Sequence, residues 1–182
     1  MSGVSHSGPA FNFSEIRQLA TVKKGFTHFA DGDVLMAKIT PSMENGKAAI
    51  ACNLVNSLGC GSTELHVIRP ESEILPTFVY HYIHQESFRK EATKNMTGTA
   101  GQLRVPASYI KTTEMALPPL DEQRRIVAKL EKLLAKCEAS KQRLDKIPHL
   151  LKRFRQSILA AACSGHLTAD WRTQHPNTEP AS

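Results

Sequence analysis

No stretch of apolar residues in this chain of 182 approaches the length of a membrane span. The opening residues, MSGVSHSGPAFNF, lack a basic start followed by an apolar run, so no secretory signal is expected. Paired short cysteine spacings are missing too. Cys52, Cys60, Cys137 and Cys163 fit reduced thiols of the cytoplasm rather than a disulfide framework or a zinc site. There is no internal repeat. What remains is ordinary in bulk, with 41% apolar and 22% charged residues. That describes a soluble, folded chain with room for one core and an extended element.

Catalytic signatures are absent as well. GCGS, at 59–62, lacks the second glycine of a nucleophile elbow. MENGKAA carries one glycine before Lys47 and none upstream, so it cannot wrap a phosphate. No dinucleotide fingerprint appears. His81 and His84 stand three apart on an expected helix, but no further Cys, Asp or Glu cluster completes a metal site. They read as incidental histidines of an aromatic helix. The chain is read as non-catalytic, with neither metal nor cofactor.

The net charge is +6, and it is unevenly placed. Residues 119–182 hold twelve Lys/Arg against seven Asp/Glu, whereas residues 1–118 hold eleven against ten. The rear is the basic part. Nucleic acid or an acidic protein would suit it; so would plain solvent.

Along the chain, a short helix is expected near Ser14 to Leu19, then a turn and strand in DGDVLMAKIT (31–40). A turn at 41–47, a strand in AAIACNL (48–54), a glycine-rich loop in NSLGCGS (56–62) and a strand in TELHVIRP (63–70) follow. Residues 75–96 read as one helix, with Phe78, Val79, Tyr82 and Ile83 on a face. TGTAGQ (97–102) is expected to be a flexible loop, and LRVP (103–106) and EMALPP (114–119) short strands around the turn ASYIK. Residues 173–182 are expected to be frayed.

Behind Pro118 and Pro119 comes a long charged run without glycine, LDEQRRIVAKLEKLLAKCEASKQRLDKI. Stepping four and three from Ile126 meets Leu130, Leu133, Cys137, Ser140, Leu144, Ile147, Leu151, Phe154, Ile158 and Ala161, of which only Ser140 is polar. This is a heptad seam. Val127 and Leu134 widen it, which favours a bundle or a partner domain over an isolated two-stranded rod. Asp121 is the expected N-cap, and Pro148 is expected to kink or restart the helix. At about 1.5 Å per residue, 121–147 spans about 40 Å, longer than a small domain needs. The fold class is therefore α+β: a mixed domain of short strands and helices over 1–117, then a long C-terminal helix of coiled-coil type and a distal segment over 118–172.

Two loops of the front part carry side chains suited to phosphates and base edges. ITPSMENGK and its approach supply Lys38, Thr40, Asn45 and Lys47. MTGTAGQLR and its approach supply Lys94, Asn95, Thr97, Thr99, Gln102 and Arg104. A purely conformational role for Asn45, Gly46, Gly98 and Gly101 is equally compatible with the composition.

Three blocks carry a family resemblance. LPPLDEQRRIVAKLEKLL resembles the conserved-region helix of specificity (S) subunits of type I restriction-modification systems. FADGDVLMAKITPSMENGKAAIACNL followed by GSTELHVIRP resembles the interior of a target recognition domain of that family, and LLKRFRQSILAAACSGHLTADWR the end of its distal conserved region. Together they cover most of residues 21–172 in the family's order. The resemblance implies a non-enzymatic, cytoplasmic subunit that reads double-stranded DNA. It implies docking to modification (M) subunits, which would hold the S-adenosylmethionine, and through them to restriction (R) subunits. A full S subunit bears two recognition domains held apart by antiparallel helices. One copy of each region implies half a subunit, its recognition domain beginning inside the family's pattern. The long helix would then be a ruler of about one DNA turn, roughly 34–36 Å, between half-sites.

Two copies pairing through the 121–161 helices would restore the two-fold arrangement. The flanking positions Lys129, Lys136, Arg143 and Lys141 offer no acidic complement to such a pair. Two other readings stay open: a truncated paralogue that binds M without reading DNA, and an unrelated coiled-coil scaffold.

Overall fold

Residues 15–99 and 101–177 are described by the structure, a computed structural model. The expected helix start at Ser14 and the end of the tail, 178–182, lie outside them. The chain divides into two compact units between Leu133 and Leu134.

The first described element of the front unit is a short helix, α1 (Leu19–Val22), which starts five residues after the expected Ser14, since 15–18 have no regular structure. Strands β1 (Thr27–Ala30) and β2 (Val34–Ala37) follow, separated by Gly32 at φ +88°. β3 is Ala48–Ile50, β4 Leu58–Gly61 and β5 Leu65–Ile68. β2 is the centre of an antiparallel sheet of order β3-β2-β5, while β1 pairs with β4 in a separate ribbon. Every residue of β2 is buried, because both faces of the sheet are covered. Val34 and Met36 face a cluster with Val79, Tyr80, Ile83, Phe88 and Val105, whereas Leu35 faces Phe29 and Ala51.

NSLGCGS, expected as a loop, contains β4. Gly59 lies opposite Phe29 in the ribbon, and a Cβ on it would sit 2.3 Å from the Phe29 ring. Glycine here makes room for a ring within a strand; it does not turn the chain.

The single helix expected over 75–96 is two, α2 (Pro76–Ile83) and α3 (Glu86–Lys94), parted by an extended Gln85. The buried positions explain the break. Val79, Tyr80 and Ile83 share a helical phase, but the next buried residue is Phe88, five positions on. The phase resets and each helix buries its own face.

Another correction concerns the region after 102. ASYIK lies in a helix, α4 (Ala107–Thr112), with no strand at 103–106 or 114–119; Arg104 makes isolated bridges only. The 97–102 loop, expected to be flexible, closes as a small hairpin. Thr97 and Arg104 exchange backbone bonds of 2.9 and 2.8 Å, and the Gln102 N–H donates to Thr99.

The long helix, α5, runs from Leu120 to Cys163 and crosses the unit boundary. The Glu122 and Gln123 N–H groups both donate to the Pro119 carbonyl, so Asp121 lies in the first turn rather than at the cap. It pairs there with Arg124 and still suits the positive helix end. Helix continues through Pro148, whose ring nitrogen has no hydrogen for the preceding turn. Only Gln123 and Val127 of α5 are buried. In the rear unit Gly165, at φ +72°, ends the helix, and α6 (Ala169–Gln174) follows. The Arg172 guanidinium reaches back to the Gly165 carbonyl at 2.6 Å.

Candidate nucleic-acid interface

The two polar loops meet. Their backbones are joined by an antiparallel bridge between Ile39 and Arg104. The Thr40 N–H donates to the Leu103 carbonyl and the Val105 N–H to the Lys38 carbonyl, each at 2.9 Å. Lys38, Thr40, Thr97 and Arg104 thus stand on one short ladder, although its bridged residues, Ile39 and Arg104, are 65 positions apart.

The 41–47 turn hangs from this ladder. It follows a cis Thr40–Pro41 bond and is pinned by Met43, which is buried. Backbone bonds from Asn45 to Pro41 and from Lys47 to Ser42 close it. Arg89 of α3 supports it, its Nη1 donating to the Glu44 carbonyl at 3.0 Å. Asn45 and Lys47 remain exposed, as do Thr97, Thr99 and Gln102 of the facing hairpin. The side chains of Asn45, Lys47, Thr99 and Gln102 have no hydrogen-bond partner among the described residues.

Arg104 is committed elsewhere. Its Nε and Nη2 donate to the two oxygens of Glu64 at 2.8 and 3.0 Å, and Nη1 to the Gln102 carbonyl at 2.9 Å. The hydrogen bond from Arg104 holds the Glu64 carboxyl below its ordinary range, with help from Lys38. Lys94 pairs with Glu91, and the Asn95 amide donates to the Glu91 carbonyl at the end of α3. These last two stand beside the hairpin on α3, not on the ladder.

Four residues of this region escaped the sequence reading. Glu64 holds Arg104. His66 is half-buried, and its Nε2 donates to the Val105 carbonyl at 2.8 Å; burial pushes its pKa down. Arg89 carries the turn. Gln123 is fully buried: its Oε1 accepts from Leu75 N–H, while Nε2 donates to the Glu73 and Pro118 carbonyls, all at 2.9 Å. It fastens the start of α5 to the segment before α2. One signal was available for Gln123 alone, since it is a polar residue four before Val127, on the apolar face.

His81 and His84 have ordinary structural surroundings. The His84 Nδ1 donates to the Tyr80 carbonyl at 2.7 Å and its ring packs on Tyr80, while burial lowers the pKa of His81. No group of three or more His, Cys, Asp or Glu side chains gathers for a metal among the described residues. No helix is long and apolar enough to cross a membrane among them.

The seam along α5 is the second candidate surface. Leu130 is half-buried; Ile126, Leu133, Cys137, Leu144, Ile147, Leu151, Phe154 and Ile158 are all exposed. Leu144 and Phe154 show 63% and 62% of their surface to solvent. So long an apolar row is far from ordinary for a solvated helix.

Comparisons with known proteins fit these observations. Residues 5–149 match the family model described as "Type I restriction modification DNA specificity domain". The type I restriction enzyme EcoAI specificity subunit of Escherichia coli is 44% identical over 129 residues, 70% of this chain and 22% of that protein. The EcoEI specificity subunit, also of Escherichia coli, is 38% identical over 162 residues, covering 86% of this chain and 27% of that one. The chain therefore spans about a quarter of the length of these relatives. A solved chain from work on the complex assembly and conformational transition of the type I R-M system superposes with a TM-score of 0.58. That match has 26% identity and covers 75% of this chain and 31% of the other. With short antiparallel strands, helices and a long C-terminal helix in place, the chain belongs to the type I restriction-modification DNA specificity family.

Proposed function

We propose that this chain is a DNA-reading, non-catalytic specificity component that reads one half of a bipartite target. One observation carries the reading: the 41–47 turn and the 97–104 hairpin are locked together at Ile39 and Arg104 while their polar tips stay exposed. A stiff backbone with free Asn, Gln, Lys and Thr side chains is what base-edge and phosphate contacts require. In this reading Asn45, Lys47, Thr99 and Gln102 touch DNA directly, with Lys38, Thr40, Thr97, Lys94 and Asn95 at the margin. Arg104 reaches DNA only by leaving Glu64; otherwise it stiffens the hairpin.

The exposed seam of α5 is read as the surface for a modification subunit and for a second copy of this chain. S-adenosylmethionine would belong to the modification subunit, with a restriction subunit joining through it. The test is co-expression with an adenine-methylating modification subunit, then gel shifts of the complex against duplex pools at fixed salt. Sequence-selective retention supports the reading. Co-purification without selectivity overturns DNA reading by this chain; failure to co-purify overturns the docking role.

A further inference from the structure

The rear half of α5 has a second face that the seam does not use. Taking about 100° per residue, Lys146, His149, Arg153 and Gln156 form a stripe on the far side from Ile147, Leu151, Phe154 and Ile158. Lys152 flanks it on one side and Leu150 on the other, while Arg155 lies nearer the seam, beside Leu151. All are exposed. Between Asp145 and Asp170 the chain has no acidic residue at all. The start of α5 is different: Arg124 and Arg125 there pair with Asp121 and Glu122. Among the described residues no ion pair involves Lys146, Lys152, Arg153, Arg155 or the neighbouring Asp145.

We propose that this stripe is a tracking surface for the phosphates of duplex DNA, independent of sequence and separate from the loops proposed to read bases. It rests on the reading of the chain as a DNA-binding component. Two features choose a polyanion over an acidic protein. First, the stripe holds no apolar side chain, whereas the centre of a protein interface is apolar and poor in lysine. Secondly, Lys, Arg and Gln are the side chains that contact phosphate. The stripe is about 15 Å long, at 1.5 Å per residue. Over that length a duplex presents about nine phosphate charges, so several cations can be matched without a specific register. Lys146 and Arg153 are seven residues apart, two helical turns, and project from the same side.

The experiment uses the full chain and a random-sequence duplex, titrated by fluorescence anisotropy from about 50 to 200 mM salt. The variant is K146Q/R153Q, with circular dichroism to confirm that α5 is unchanged. Each phosphate contact contributes about 0.9 to the slope of log affinity against log salt. The double variant is expected to lower that slope by about 2 and to weaken binding about tenfold at the lowest salt. L144A/F154A, on the opposite face, leaves the slope unchanged. An unaltered slope in K146Q/R153Q overturns the proposal. So does an unaltered slope combined with lost capture by the modification subunit, which makes the stripe a protein-docking face. Loss of sequence selectivity is a different failure. If the wild-type complex prefers no sequence while the slope still falls in K146Q/R153Q, the base-reading role fails and the phosphate surface stands.

Discussion

The front unit satisfies itself and the rear unit does not. In the front unit the two fully buried polar residues, Asp33 and Gln123, are paired, and among the described residues the Arg89 Nε is a buried polar atom without a partner. Asp33 is 1% exposed, yet its carboxylate accepts two bonds from Arg69 and one from the Ala30 N–H, all at 2.7 Å. Gln123 has three partners. Apolar β2 is covered on both faces. In the rear unit Leu144, Ile147, Leu151, Phe154, Leu159 and Trp171 face solvent, and no ion pair forms among its described residues. The difference separates residues that the chain packs against itself from apolar residues that it leaves in solvent. Hydrophobic side chains left in water contribute nothing to stability until another surface covers them.

Mutations sharpen that contrast, and the largest effect is expected in the core. Leu35→Ala empties a site with 0% exposure between Phe29, Ala51 and Val67. Denaturant titration should show a loss of about 2–5 kcal/mol. A loss below about 1 kcal/mol would mean that the layer beneath β2 is not packed as described.

Gln123→Ala comes next. It leaves the Leu75 N–H and two carbonyls without their partner, so about 1–3 kcal/mol should be lost. Exchange of the Leu75 amide hydrogen should accelerate with it. An unchanged exchange rate would refute the clasp.

Acid should then act on the front unit through Asp33. The hydrogen bond from Arg69 holds this carboxyl below its ordinary pKa, against the opposing effect of burial. A carboxyl depressed in the folded state adds stability above its unfolded pKa, about 3.9, and loses it as pH falls through the folded value. Wild-type stability should therefore decline below about pH 4. Asp33→Asn should be weaker at pH 7 and its acid decline shallower, by urea titration at several pH values. Parallel pH profiles for the two proteins would contradict this.

The smallest effect is reserved for the rear. L144A/F154A should change the stability of the isolated chain by no more than about 0.5 kcal/mol, as for surface sites. Capture by a modification subunit, or self-association in light scattering, should be lost. A large drop in stability of the monomer would show the seam to be covered by its own chain.

Legibility in the sequence follows the same division. The seam, the long helix and the α+β class could be read because heptad spacing is local and repeats many times. β2 was legible because VLMA is a continuous apolar run behind an Asp-Gly turn. Features that depend on a distant partner were not legible. Nothing near Gly59 tells of the Phe29 ring, and Glu64 lies forty residues from Arg104. The split between α2 and α3 lies between these cases. Its five-residue step from Ile83 to Phe88 was visible, but no glycine or proline announces it. Of the proposed binding surface, the two polar loops could be picked out from composition. Their bridge could not, because pairing across 65 positions is set by the packing of the whole unit.

That bridge at Ile39 and Arg104 also matters for anyone hoping to redesign the protein. An insertion in the 97–104 segment that slips the rung by one position would turn neighbouring side chains to the opposite side and drag the 41–47 turn with it. The two segments are consequently one cassette. Grafts from a homologue should carry both pieces together, along with Glu64, and a library that varies either alone would sample mostly misaligned pairs.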